Sequence, residues 1–235
     1  MNKGIYIALS GAVLKHSQME VISQNLANAA TAGYKKDNIS FKDYLIPKDT
    51  FVFQPDGRVM SNISSLKTDF SAGELVKTGN SLDIAIDGNG FISLEGNLYT
   101  RRGDMKRNSE GYLTSYNGIK VLGSSGPVRL PDGKVEISIT GDIAVNGIVI
   151  DSLKLVEFPN TDGLSKVGDG IFFKQEGGTK SNASVKQTYL EASNVDVIKE
   201  MVRMIETLRE FESFQKAIRI FDEASEKINN EIGRL

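Results

Sequence analysis

Asp83 and Asp87 are the residues of this chain that most invite a chemical reading. Two carboxylates held at a suitable separation can act as acid and base on a glycan. Here they fall in a segment where Leu82, Ile84 and Ile86 alternate with polar or small residues. In a strand, residues four apart share a face. The turn Asp87-Gly88-Asn89-Gly90 follows at once, so strand-edge and turn chemistry is the expected role. The same turn lacks the ligand spacing and final Glu of a calcium loop. His16 is the single histidine and there is no Cys; it reads as a partly exposed helix residue, since a lone imidazole makes a poor zinc site. Arg101, Arg102, Lys106 and Arg107 form a small basic cluster that suits either a neighbour contact or a solvated turn. No phosphate-binding Gly-Lys-Ser/Thr loop and no dinucleotide fingerprint occurs. The expectation is no catalytic residue, no metal, no cofactor and no small-molecule substrate.

Composition narrows the class further. The 235 residues are 40% hydrophobic and 25% charged, enough for one large domain or two modest ones. A net charge of −2 is no footprint for nucleic acid. Without Cys there is no disulfide framework. No apolar run reaches the length of a membrane span. The stretch Ile5–Leu14 is broken by Ser10 and Gly11, so no cleavable secretory signal is expected.

The elements that must position any site are helical at the ends and extended between. From Asn194 to Ile232 apolar residues recur at three- and four-residue steps: Ile198, Met201, Ile205, Leu208, Phe211, Phe214, Ile218, Phe221, Ile228. Such a stripe gives a long helix one oily face. At about 1.5 Å per residue it spans roughly 55–60 Å, more than a small domain can cover. Around Leu208, Phe211 and Phe214 the stripe takes an extra three-residue step, which overwinds a coiled coil locally. Ser193 with Asp196 resembles a capping box. The first helix is expected from about Asn2 to Ala29, with Ile5, Leu9, Met19, Ile22 and Leu26 on its face. Gly4, Ser10, Gly11 and Ala12 lower its propensity but permit close backbone approach. Gly33 suits a left-handed cap. A helix so dependent on packing is expected to be poorly ordered in an isolated monomer.

Residues 36–75 carry Pro47, Pro55 and Asp56-Gly57, which bar a long helix and suggest short strands or extended arms, around Phe51–Phe53 among other places. From about 80 to 185 the period becomes two. Ile143–Val145, Asn146-Gly147 and Ile148–Ile150 spell a hairpin with a primed turn. Further turns at Asn117-Gly118, Asp132-Gly133, Asp162-Gly163 and Asp169-Gly170 predict an antiparallel sandwich or partly open barrel. The expected division is residues 1–35, N-terminal helix; 36–75, arm; 76–185, β domain; 186–235, C-terminal helix. The fold class is α+β.

Several strings are more specific than any of these patterns. Ser23–Lys36 reads SQNLANAATAGYKK, Ser81–Phe91 reads SLDIAIDGNGF, Tyr99–Gly103 reads YTRRG and Glu191–Val197 reads EASNVDV. In this order they resemble the bacterial flagellar rod and hook proteins, and the opening MNKGIYIALSGA is most similar to the proximal members of the rod. The resemblance covers both ends and much of the centre. It implies an axial protein, exported by the flagellar type III apparatus without a cleaved signal, that polymerises helically in the periplasm. It also implies that the two terminal segments pair as a coiled coil in an inner tube, with the β module outside. The partners implied are other copies of the chain, other rod subunits and neighbouring basal-body components. The assembly interface would use Ile5, Leu9, Met19, Ile22, Asn25, Leu26, Asn28 and Tyr34 at one end. At the other it would use Asn194, Met201, Ile205, Leu208, Phe211, Phe214, Ile218, Phe221 and Ile228. Asn25 and Asn28 would also satisfy backbone groups where the helix stops. The rivals are a distal-rod or hook-type subunit, a cell-wall glycan hydrolase using Asp83 or Asp87, and an unrelated secreted coiled-coil fibre.

Overall fold

A computed structural model describes residues 3–47, 55–161 and 163–232; side chains are described for these except at 3, 41–47, 55–64, 228, 229, 231 and 232. The chain is α+β, with a helix at each end and antiparallel sheets between. It divides into two compact units. The first comprises Met1–Ala27, Lys36–Asp69 and Val195–Leu235, and the second Asn28–Lys35 and Phe70–Asn194.

In the first unit, α1 (Lys3–Ala27) lies antiparallel to α2 (Val197–Ile232). The reason is steric. A Cβ on Gly11 would stand 2.5 Å from Phe214 Cε1, and one on Gly4 would stand 2.9 Å from Phe221 Cζ. The two glycines are where rings of α2 settle onto the backbone of α1. Lys15 continues the same register by pairing with Glu210 at 2.5 Å. β1 (Asp37–Pro47) and β2 (Pro55–Thr68) form a long antiparallel pair with a bulge between Ser40 and Phe41. These strands stand where short strands or extended arms are expected for residues 36–75; Phe51–Phe53 lie outside the described residues.

The start of α2 differs from the expected capping box. The helix begins at Val197, and Asp196 caps it by accepting the Lys199 N–H at 3.1 Å. The Lys199 amide and ammonium hold the Asp196 carboxyl below the usual carboxylate range. α1 ends at Ala27, two residues before the expected stop. Asn2, the expected cap, lies outside the described residues.

The second unit is built of strands. A six-stranded sheet runs in the order Ser165–Gly168, Ile171–Phe173, Leu98–Thr100, Phe91–Leu94, Leu155–Glu157, Thr179–Lys180. A three-stranded sheet contains Val135–Ile137, Asp142–Val145 and Ile148–Ser152. Its hairpin turns at Asn146 and Gly147, both with φ positive (52° and 81°), as the dipeptide predicts. The main core gathers Ile84, Ile92, Leu94, Leu113, Val121 and Ile143, and a second cluster stacks Phe91, Phe172, Tyr99 and Phe158 edge to face. Among the described residues no sheet closes into a barrel.

Candidate functional site

Three of the strings read from the sequence meet at one place in the second unit. Lys35, from GYKK, is fully buried, and its Nζ donates to Glu191 Oε1 at 2.6 Å and to the Ser71 carbonyl at 2.7 Å. Glu191, from EASNVDV, is 1% exposed and also accepts the Gly73 N–H at 2.8 Å. Arg101, from YTRRG, reaches Glu191 Oε2 at 3.4 Å and donates to the carbonyls of Ile86 and Gly88. Burial pulls the Arg101 pKa down and Glu191 pushes it back. Gly33 closes the arrangement: its φ is +63°, its N–H donates to the Glu191 carbonyl at 2.7 Å, and a Cβ would strike the Arg101 backbone. Tyr34 is buried beneath Lys166, whose Nζ sits 4.0 Å over its ring. The Asn194 N–H donates to the Tyr34 carbonyl at 3.3 Å. Two cations share one carboxylate here, and the hydrogen-bond geometry offsets the cost of taking them from water. The chemistry is that of a clamp.

The basic cluster of residues 101–107 is not one solvated turn. Arg101 is interior. Arg102 forms a bidentate pair with Asp104 and lies over Tyr116, Lys106 caps the same ring, and Arg107 pairs with Asp132. The two candidate carboxylates are likewise occupied. Asp83 is buried and accepts hydrogen bonds from Thr78 Oγ1 (2.6 Å) and Asn80 Nδ2 (2.9 Å). Asp87 is exposed and pairs with Lys186 at 2.7 Å. His16 is exposed on α1, its ring 6.2 Å from that of Phe211 and its Nε2 3.7 Å from Glu20.

The interface residues expected on the helices separate into two sets. Phe211, Phe214, Ile218 and Phe221 are half-buried on the inner face of α2, in a seam of alternating four- and three-residue steps that begins at buried Glu200, half-buried Met204 and buried Thr207. Met201, Ile205 and Leu208 follow a second seam on the outer face, with Ile198, and are 44–75% exposed as a group. The extra three-residue step in the sequence is the passage from one seam to the other. On α1, Ile22 and Asn25 are buried, Ile5, Met19 and Leu26 are half-buried, and Leu9 stands out with Tyr6 and Val13. Asn25 bonds the backbone of Asp37 twice, Nδ2 to its carbonyl at 2.8 Å and Oδ1 from its N–H at 2.9 Å. It thus ties the helix to the first residue of β1. Asn28 accepts the Thr31 hydroxyl in the turn that follows α1. The side chain of Ile228 lies outside the described residues.

Sequence reasoning missed Lys35, Arg101 and Glu191 as a set. Their only signal was membership of the three strings; no local pattern pairs residues 156 apart.

Helices that keep apolar faces outward, joined in one chain to a clamped β unit, define a structural assembly protein. Comparison with known proteins agrees. Residues 5–35 match the flagella basal body rod protein family, residues 85–149 the flagellar hook protein FlgE/F/G D1 domain, and residues 186–231 the flagellar basal body rod FlgEFG protein C-terminal family. The flagellar basal-body rod protein FlgF of Buchnera aphidicola subsp. Schizaphis graminum is 30% identical over 97% of each chain. The flagellar basal-body rod protein FlgG of Agrobacterium fabrum is 28% identical over 98% of this chain and 99% of its own. FlgF of Caulobacter vibrioides is 26% identical over the whole of both. The chain belongs to the flagellar basal-body rod protein family, as a structural subunit.

Proposed function

We propose that the chain is a proximal rod subunit that assembles helically into the shaft carrying torque from the motor to the hook. The exposed apolar seam of α2, with Ile198 75% and Ile205 53% exposed, carries this reading. Such a face is normally covered by a partner. Head-to-tail contacts that do not close into a ring generate a filament, and at about 25 cal/mol per Å² each added subunit gains from covering the seam. In this reading α1 and α2 pair as a coiled coil within an inner tube, and the assembly interface draws on Ile5, Leu9, Met19, Ile22, Leu26, Met201, Ile205, Leu208, Phe211, Phe214, Ile218, Phe221 and Ile228. Asn25, Asn28, Tyr34 and Asn194 hold the turns that set the helices. The β unit, in sandwich-like packing, lies outside. The working division remains residues 1–35, 36–75, 76–185 and 186–235.

The partners are further copies, other rod subunits and adjacent basal-body components. The site is the periplasmic rod, reached by type III export without a cleaved signal, and the role involves neither catalysis nor a cofactor. Similarity to relatives named FlgG as well as FlgF supports one rival, a distal position on the same shaft. Deleting the gene and imaging basal bodies by electron microscopy tests both. The expected result is arrest before any rod forms; a short rod lacking its distal part favours the rival, and a complete rod and hook defeats the proposal.

A further inference from the structure

Packing between α1 and α2 is tight at one end and open at the other. Near Gly4 and Gly11 the rings of Phe221 and Phe214 fill the space. Toward residues 200–210 the inner seam offers Glu200 and Thr207 instead. A cavity of about 390 Å³ remains there, bounded by α1, α2 and the start of β1. Its wall carries four carboxylates, Asp37, Glu200, Glu206 and Glu210, against two cations, Lys15 and Arg203. Both cations are engaged, Lys15 with Glu210 at 2.5 Å and Arg203 with Glu200 Oε1 at 3.1 Å.

Two acceptors in this wall are unused. Thr207 is 2% exposed, yet its hydroxyl makes no hydrogen bond among the described residues. The hydroxyls of Ser213 and Ser225, on the same helix, each bond back to the carbonyl four residues earlier. The Glu200 side chain is 3% exposed, and its second oxygen has no partner among the described residues. Both residues line the cavity, where an entering donor can meet the Thr207 hydroxyl and the second Glu200 oxygen. Among the described residues no group of carboxylates or imidazoles is arranged to hold a metal ion. N–H donors on an organic cation suit the acceptors instead. The outer face of α2 carries such cations in Lys216 and Arg219, both exposed and in no ion pair among the described residues. Lys216 is nine residues beyond Thr207, about 13 Å along the same axis, too far to fold back into its own cavity.

We propose that this acidic cavity is a socket for a basic side chain, Lys216, from α2 of a second copy. The socket rests on the self-assembly reading above. It adds a polar key to the apolar seam, fixing the axial stagger of neighbouring helices by charge complementarity.

Zero-length carbodiimide coupling tests it on the unaltered chain. Equal amounts of ¹⁴N and ¹⁵N copies are assembled, pelleted, coupled and digested. The expected product is a mixed-isotope peptide pair joining Lys216 to Glu200, Glu206 or Glu210. Coupling of Lys15 to Glu210 within one copy is the internal control. In parallel, Lys216→Gln should raise the concentration needed for assembly about tenfold, as loss of one charged hydrogen-bonded pair implies, and leave the circular dichroism of the monomer unchanged. Copies that pellet together and give the Lys15 control, but no mixed Lys216 pair, overturn the socket alone. Copies that never co-pellet overturn the assembly reading and the socket with it.

Discussion

The two units treat buried charge in opposite ways. In the β unit, Lys35, Arg101 and Glu191 are interior and meet one another, and backbone carbonyls accept further bonds from Lys35 and Arg101, leaving Arg101 Nε without a partner among the described residues. In the helical unit, the interior polar groups of α2 face a cavity, while Ile198, Met201, Ile205 and Leu208 face outward. The β unit pairs its buried charges internally, and the helical unit leaves both apolar and polar valences open. A chain that must fold and then join others gains from such a division: one part fixes shape, the other stays available.

That contrast can be broken most directly at Glu191. Glu191→Ala leaves two buried cations without their carboxylate and should cost about 3–5 kcal/mol, read by denaturant unfolding of the full chain. A loss below about 1 kcal/mol would mean that the clamp does not hold the β unit. Glu191→Gln, which keeps the shape, should cost less. Next is Gly11→Val, whose branched side chain would press on the Phe214 ring. Overpacking of this kind costs roughly 1–3 kcal/mol, and thermal unfolding should show it without altering the near-UV signal of the aromatic cluster at Phe91, Phe158 and Phe172. Asn25→Ala removes both bonds to the Asp37 backbone and should cost about 1–3 kcal/mol, because a buried N–H and carbonyl lose their partners. Slow amide exchange at Asp37 should be lost in that variant; unchanged protection would refute the pairing.

Smaller effects sharpen the same comparison. Ile205→Glu and Leu208→Glu should change monomer stability by no more than about 0.5 kcal/mol, as exposed substitutions do, yet abolish sedimentation as filaments. Equal assembly would show that the outer seam covers nothing. The slightest change expected is at Asp196. Its carboxyl titrates lower in the folded chain than in the unfolded one. Its capping contribution is therefore complete above the unfolded value, about 3.9, and disappears as pH falls through the lowered folded value. The gap in helix content between wild type and Asp196→Ala should be largest at neutral pH and close on acidification; a gap that persists in acid would exclude the capping role.

Much of the architecture was legible locally. The length of α2 followed from its spacing, and the hairpin at Asn146-Gly147 from a dipeptide that tolerates positive φ at both positions. β1 and β2 were less legible, since Pro and Gly interrupt their pattern and their stability comes from each other's backbone. Asp196 displaced Ser193 as the cap because both are good capping residues, and only the helix geometry selects one. The basic run of residues 101–107 misled because charge in a sequence says nothing about which side chain turns inward.

What the residues settled unaided is the alphabet of elements: two helices, many short strands between Gly-rich turns, and the strings that mark a rod-family chain. Those follow from forces between residues a few positions apart. Which stripe of α2 faces α1 was decided in three dimensions, because two heptad seams interleave in one sequence and only the gaps above Gly4 and Gly11 admit the Phe221 and Phe214 rings. The clamp of Lys35, Arg101 and Glu191 was decided there too, since pairing across 156 residues depends on where the strands bring each side chain, and no periodicity carries that information.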